Sequence, residues 1–215
     1  MTDRKGRWVV FDVGETIIEE SRIWRAWADE LGIPQMTFMS VFGAIVARGQ
    51  GYQDVASYFE IGDWRVHREA VDARIGGFGM EDLYPDAVPA IRALQERGYR
   101  VAVIGNQPAS RHAELQALGV EPDVMAMSET MGVMKPDPDF FRLSLGLLGD
   151  PDPATVAYVG DRIDNDVLPS SKAGMRAVWL RRGPWGIVPT ETPAQAALVV
   201  DSLTELVERI DEVFA

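Results

Sequence analysis

Short apolar runs recur along the chain at Trp8–Phe11, Arg100–Ile104, Asp123–Met127, Thr155–Val159 and Arg176–Leu180, and a turn or polar residue closes each one. Runs of this length between turn residues predict buried β-strands. Leu198–Val200 is a candidate for a sixth. The segments between them change period. From Asp86 to Arg97, Val88, Ile91 and Leu94 fall on one helical face, and Gly98 follows the end. Ser110–Leu118, stopped by Gly119, and Pro138–Leu148 read the same way. Asp166–Ala173 is helical if Pro169 sits in the first turn. A closing helix starts where Ser202 and Glu205 are spaced as a capping box. Strands alternating with helices imply right-handed crossovers. The predicted fold is α/β, a Rossmann-like parallel sheet flanked by helices.

One block breaks this rhythm. Residues 20–80 carry no strand signal. Helices are expected at Ser21–Leu31, with Ser21 as cap, and at Thr37–Arg48, with shorter pieces near Asp54–Phe59 and Trp64–Ile75. Gly76-Gly77-Phe78-Gly79 then forms a joint. The expectation is an inserted α-helical cap domain over residues 20–80, with a core domain of residues 1–19 and 81–215. Trp24, Trp27 and Trp64 are expected in the core of the cap. The Pro- and Gly-rich loop Arg181–Gln195, which holds Trp185, is assigned no function.

Composition narrows the partners. An apolar fraction of 47% and a charged fraction of 25% are those of a globular protein. The net charge of -12 argues against nucleic acid and against an anionic membrane surface. A small anionic substrate is still compatible, because a local lysine, metal ion or helix N-terminus outweighs the global sign. With no cysteine, disulfides, thiolate metal sites and Cys nucleophiles are excluded. The polar start, Met1–Lys5, has no signal-peptide pattern, and a cytoplasmic location is the expectation. The expected oligomeric state is monomer or homodimer.

The predicted strands deliver a set of polar groups to one edge of the sheet. These are Asp12, Asn106, Asp161 with Asp166, and Lys135 in the loop after the third strand. Open parallel sheets place their ligands at that edge. Converging carboxylates repel one another and imply a cation, and oxygen ligands without His or Cys point to Mg²⁺. A lysine beside a metal suits a phosphoryl group. His67 and His112 lie in polar stretches and are expected to face solvent. Arg22 and Arg25 are candidates to bind a remote anionic part of a substrate.

In these runs the sequence resembles the haloacid dehalogenase superfamily. The apolar strand with Asp12 and Thr16 matches its first motif, and Val101–Asn106 its second. Ser128–Pro138, containing Lys135-Pro136-Asp137-Pro138, matches the third closely. Val159–Asp166, with Ala173-Gly174-Met175 downstream, matches the fourth. A helical insertion between the first two motifs also fits members that carry a small cap there.

The resemblance implies that Asp12 is a nucleophile forming an aspartyl-phosphate. It implies Mg²⁺ held by Asp12, the Gly14 carbonyl and Asp161, with Asp166 binding directly or through a ligand. Lys135 would neutralise charge. Backbone N–H groups of Val13, Gly14 and Glu15, and the Gly105–Asn106 turn, would cradle the phosphoryl group. The catalytic set is therefore Asp12, Lys135 and Asn106.

Two departures from the family pattern matter. Gly14 replaces the second Asp, the acid/base of the phosphatases, and Gly105 replaces a usual Ser or Thr. Glu15 is weighed as a substitute acid against a solvated turn residue. Restoring Asp at position 14 is expected to raise turnover. Phosphonate cleavage is disfavoured because residues 20–80 hold no lysine. Metal-independent dehalogenation is disfavoured by the acidic fourth motif. The reading is a Mg²⁺-dependent phosphatase of a small phosphorylated molecule, with no nucleic-acid or membrane partner. The alternatives are an impaired binding or regulatory protein and, less favoured, a haloacid dehalogenase.

Overall fold

A computed structural model describes residues 6–215; the polar start Met1–Lys5 lies outside them. Six strands form the sheet: β1 (Trp8–Phe11), β2 (Arg100–Gly105), β3 (Val124–Met127), β4 (Val156–Gly160), β5 (Arg176–Leu180) and β6 (Ala196–Val200). All pair in parallel, in the order β3-β2-β1-β4-β5-β6. The helices are α1 (Ser21–Glu30), α2 (Gln35–Ala47), α3 (Val55–Tyr58), α4 (Arg68–Ile75), α5 (Ala87–Glu96), α6 (Arg111–Ala117), α7 (Ser128–Met131), α8 (Pro138–Leu147), α9 (Leu168–Lys172), α10 (Gly183–Ile187) and α11 (Leu203–Val213).

Alternation along each strand sorts side chains to the two faces of the sheet. Val9 and Phe11, with Val101, Val103, Ala157 and Val159, meet α5 and α11 through Ile91, Leu94, Leu206 and Ile210. Trp8 and Val10, with Ala102, Ile104 and Tyr158, meet Phe140 and Phe141 of α8. Both faces of β1 are therefore covered, which is why it reads as an unbroken apolar run.

The strand order reverses at β1. The chain steps outward from β1 through β2 to β3, then returns to β4 on the other side of β1. A crevice opens at the carboxyl ends where such a reversal occurs. Phe11 pairs with Val103 on one side and Val159 on the other. Asp12 therefore emerges level with the ends of β2 and β4, and its N–H extends the ladder to the Val159 carbonyl at 2.9 Å.

Helices α1–α4 build a separate apolar cluster around Trp27, Phe38, Phe42, Ile45, Val71 and Ile75. Trp24 and Trp64 pack against it. Trp185 of α10 also belongs to this cluster, with its ring 4.9 Å from Phe42 at 85°. The loop assigned no function thus carries a helix that ties the helical block to the edge of the sheet. Ser21 does not cap α1. It is the first helical residue, and its N–H is taken by the Glu19 carboxylate at 3.0 Å. Asp166 lies in a π-turn, Ile163–Val167, before α9, and Pro169 occupies the first turn of α9 as expected. No single helix among the described residues is long and apolar enough to cross a membrane.

Candidate active site

The carboxyl ends of β1 and β4 and the loop after α7 meet in one buried polar cluster. Asp12, Lys135, Asp161 and Asp166 are all nearly closed to solvent. The Lys135 Nζ lies 2.7 Å from Asp12 Oδ1 and 2.6 Å from Asp166 Oδ1. Burial alone would lower the Lys135 ammonium, but Asp12 and Asp166 outweigh it and hold it well above the ordinary lysine range. The cation is therefore permanent, and it draws the two carboxylates together.

The backbone of Lys135 is fixed as firmly as its head. Asn106 donates from Nδ2 to the Lys135 carbonyl at 3.0 Å and accepts the Lys135 N–H on Oδ1 at 2.8 Å. Both ends of the Asn106 amide are used in this clamp. Its side chain thus sets where Lys135 stands.

One ammonium does not balance three carboxylates. Oxygens of Asp12, Asp161 and Asp166 lie within 4.8 Å of one another. Asp161 Oδ2 is buried and has no hydrogen-bond partner. Burial, then Asp166 and Asp12, push the Asp161 carboxyl well above the usual range. An unpaired oxygen within such a triad is what a hard divalent cation would satisfy. Asp166 differs from the other two. Its Oδ1 is held by Lys135 and its Oδ2 accepts the Arg162 N–H at 3.0 Å, so it suits a supporting place around the ion.

The turn after β1 wraps around the Val13 carbonyl, which accepts from Ile17 and Ile18, both at 2.9 Å. Glu15 differs from both expectations for it. Its N–H is committed to the Ile18 carbonyl at 2.7 Å, so it is not open to a phosphoryl group. Val13 and Gly14 keep N–H groups that no hydrogen bond among the described residues engages. The Glu15 side chain is buried rather than solvated, at a left-handed φ of 50°. Its Oε2 accepts from Tyr84 OH at 2.6 Å and its Oε1 from the Glu20 N–H at 3.0 Å. Burial raises its pKa against those two hydrogen bonds. Both oxygens are thus occupied in structural contacts.

The two glycine departures are close approaches. A Cβ at Gly105 would lie 2.5 Å from Asp12 Oδ1 and 3.2 Å from the Val13 nitrogen. The carboxylate of Asp12 leans across the bare face of Gly105. Around Gly14 the crowding group is Glu20, a residue the sequence reading passed over. Burial, then Glu15 and Asp12, push the Glu20 carboxyl up to about 8. The available signal was its position: a carboxylate a few residues beyond the one that Gly14 lacks.

Arg22 is not available for a substrate. It donates to the Ile75 and Gly77 carbonyls, both at 2.6 Å, and to Asp82 Oδ1 at 2.8 Å, pinning the joint between the helical block and the sheet. His67 is partly exposed and lies 3.2 Å from the Glu30 carboxylate.

The comparisons with known proteins fit this geometry. Residues 7–174 match the model of a haloacid dehalogenase-like hydrolase family. A glyceraldehyde 3-phosphate phosphatase of Methanopyrus kandleri is 35% identical over 47% of this chain and 45% of its own length. A phosphoglycolate phosphatase of Cereibacter sphaeroides is 28% identical over 81% of this chain and 85% of its own. The chain spans about half the length of several curated relatives it matches. Among solved structures, the HAD-hydrolase YfnB of Bacillus subtilis, bound to magnesium, superposes with a TM-score of 0.74 at 16% identity, over 96% of this chain and 99% of that one. At that identity the likeness speaks for the fold.

Proposed function

This chain belongs to the haloacid dehalogenase-like hydrolase family, and from that premise we propose that it is a Mg²⁺-dependent phosphatase of a small phosphorylated molecule, working through an aspartyl-phosphate on Asp12. The observation that carries this reading is the buried triad of Asp12, Asp161 and Asp166 beside a single lysine, with one Asp161 oxygen left unpaired. Phosphatase relatives with small substrates support the reaction class.

Asp12, Asp161 and the Gly14 carbonyl would hold the ion, with Asp166 in support. When bound, it would draw negative charge from the phosphoryl oxygens. Lys135 holds Asp12 in place through their ion pair and would share the charge that develops in transfer. The N–H groups of Val13 and Gly14 would receive phosphoryl oxygens. Asp12 attacks phosphorus, the ester oxygen leaves, and water then attacks phosphorus to release phosphate. The helical block, residues 20–80, would shield the site and choose the substrate.

Three converging buried carboxylates favour a cation, and so phosphoryl transfer over metal-independent dehalogenation. The test is hydrolysis of 4-nitrophenyl phosphate with and without Mg²⁺, for the native protein beside Asp12→Asn. Turnover that needs Mg²⁺ and vanishes in the variant is expected. Metal and ligand binding without turnover would favour a binding protein instead, and chloride release from a haloacid without Mg²⁺ a dehalogenase.

A further inference from the structure

The side chain that position 14 lacks is replaced in space by another. A Cβ built on Gly14 would lie 2.9 Å from Glu20 Cδ and 3.4 Å from Oε2, with Oε1 nearer still. Oε1 stands about as far from that point as an aspartate's own carboxylate oxygen stands from its Cβ. The Glu20 carboxylate therefore occupies the region an Asp at position 14 would fill.

The local fold brings it there. Gly14 bridges to Ile18 as the turn closes on the Val13 carbonyl. Two residues later the Glu20 N–H is caught by Glu15 Oε1 at 3.0 Å, and α1 begins at Ser21. The backbone of Glu20 is thus fixed, while its side chain reaches back over Gly14. Trp24, one helical turn on, is a hydrogen-bond partner of the carboxylate, and the charges of Glu15, Asp12 and Arg162, in the loop after β4, act on it. Unlike Glu15, it is not consumed by a paired structural role at both oxygens. Glycine at position 14 leaves the space it needs.

We propose that Glu20 is the acid/base residue of this active site, acting on the leaving group from the place that Gly14 leaves open. The proposal rests on the phosphatase activity assigned to Asp12. As an Asp12 oxygen bonds to phosphorus and the P–O bond to the leaving group breaks, the Glu20 carboxyl gives its proton to the departing oxygen. In the second step the Glu20 carboxylate takes a proton from water as that water's oxygen bonds to phosphorus and the P–O bond to Asp12 breaks. Phosphate leaves, and both side chains return to their starting states.

The test is a series of ring-substituted phenyl phosphates of similar shape and rising leaving-group pKa, assayed as kcat/KM with Mg²⁺. The native protein is compared with Glu20→Gln, Asp12→Asn and the double variant Gly14→Asp/Glu20→Ala. Native rates should depend weakly on leaving-group pKa. In Glu20→Gln the dependence should steepen, with the loss growing along the series to about 100-fold or more at phenyl phosphate. The double variant, whose new carboxylate grows from position 14 into the vacated space, should regain the shallow dependence.

A merely structural Glu20 would lower every rate equally, and that uniform loss, or no loss, overturns the proposal alone. A double variant no better than Glu20→Gln also overturns it. Native turnover that is absent or survives Asp12→Asn overturns the phosphatase reading, and this proposal with it.

Discussion

Gly105 shows how little room surrounds Asp12. The resemblance to phosphatases makes a hydroxyl at this position look like an improvement. The space says otherwise, because any Cβ there meets Asp12 Oδ1 at 2.5 Å and must push it off Lys135. Gly105→Ser is therefore expected to lower kcat for 4-nitrophenyl phosphate by about 100-fold, the scale of an ångström's misplacement of a reacting group. A kcat equal to or above that of the native protein would show that the carboxylate has room to turn. The same reasoning corrects the expectation for Gly14→Asp alone. The new side chain would enter space that Glu20 already fills, so no gain in turnover is expected without vacating position 20.

The convergence of Lys135, Asp161 and Asp166 on Asp12 was legible because their motifs fix both residue type and spacing. Glu15 and Arg22 were not. Their partners, Tyr84 and Asp82, lie 69 and 60 residues away, and nothing in the local sequence couples them.

At the scale of elements, apolar runs and their closing turns were enough to locate the strands. Burial on both faces forces such runs, and the fourth-motif turn marks the return of the chain to β4. Helix α10 escaped for the opposite reason. It has five residues, with Pro184 in its first turn and Gly183 and Gly186 beside Trp185, so no periodicity can build. A lone tryptophan in a Pro- and Gly-rich loop was the remaining signal. Trp185 is 9% exposed and meets Phe42 and Trp24 on one side and the Arg162 guanidinium, 4.7 Å away, on the other. Trp185→Ala should cost about 3 kcal/mol, measured by urea unfolding, because it opens a cavity in the seam between sheet and helical block. A loss below about 1 kcal/mol would show that the helical block collapses onto the gap or is held by other contacts.

Over the whole molecule, a net charge of -12 coexists with a site proposed to take an anion. The two are reconciled locally. Lys135 and the backbone N–H groups of Val13 and Gly14, which no hydrogen bond among the described residues engages, lie where the strand order reverses, and the proposed cation would add to them. The order of the motifs along the chain made this convergence legible, since a parallel sheet leaves its carboxyl ends on one edge. The fate of the missing acid was not legible, because it depends on how a turn folds back on itself over Gly14.

Every role proposed for the site depends on the chemistry of Asp12. The most direct measurement is to mix the native protein with 4-nitrophenyl phosphate and Mg²⁺, quench in acid within the first turnover, and map the phosphoryl group by mass spectrometry. A hydroxylamine-sensitive phosphoryl group is expected on the peptide containing Asp12, formed as fast as the initial release of nitrophenol and absent without Mg²⁺. Steady release of nitrophenol with no phosphoryl group on Asp12 at any quench time, together with undiminished turnover in Asp12→Asn, would contradict it.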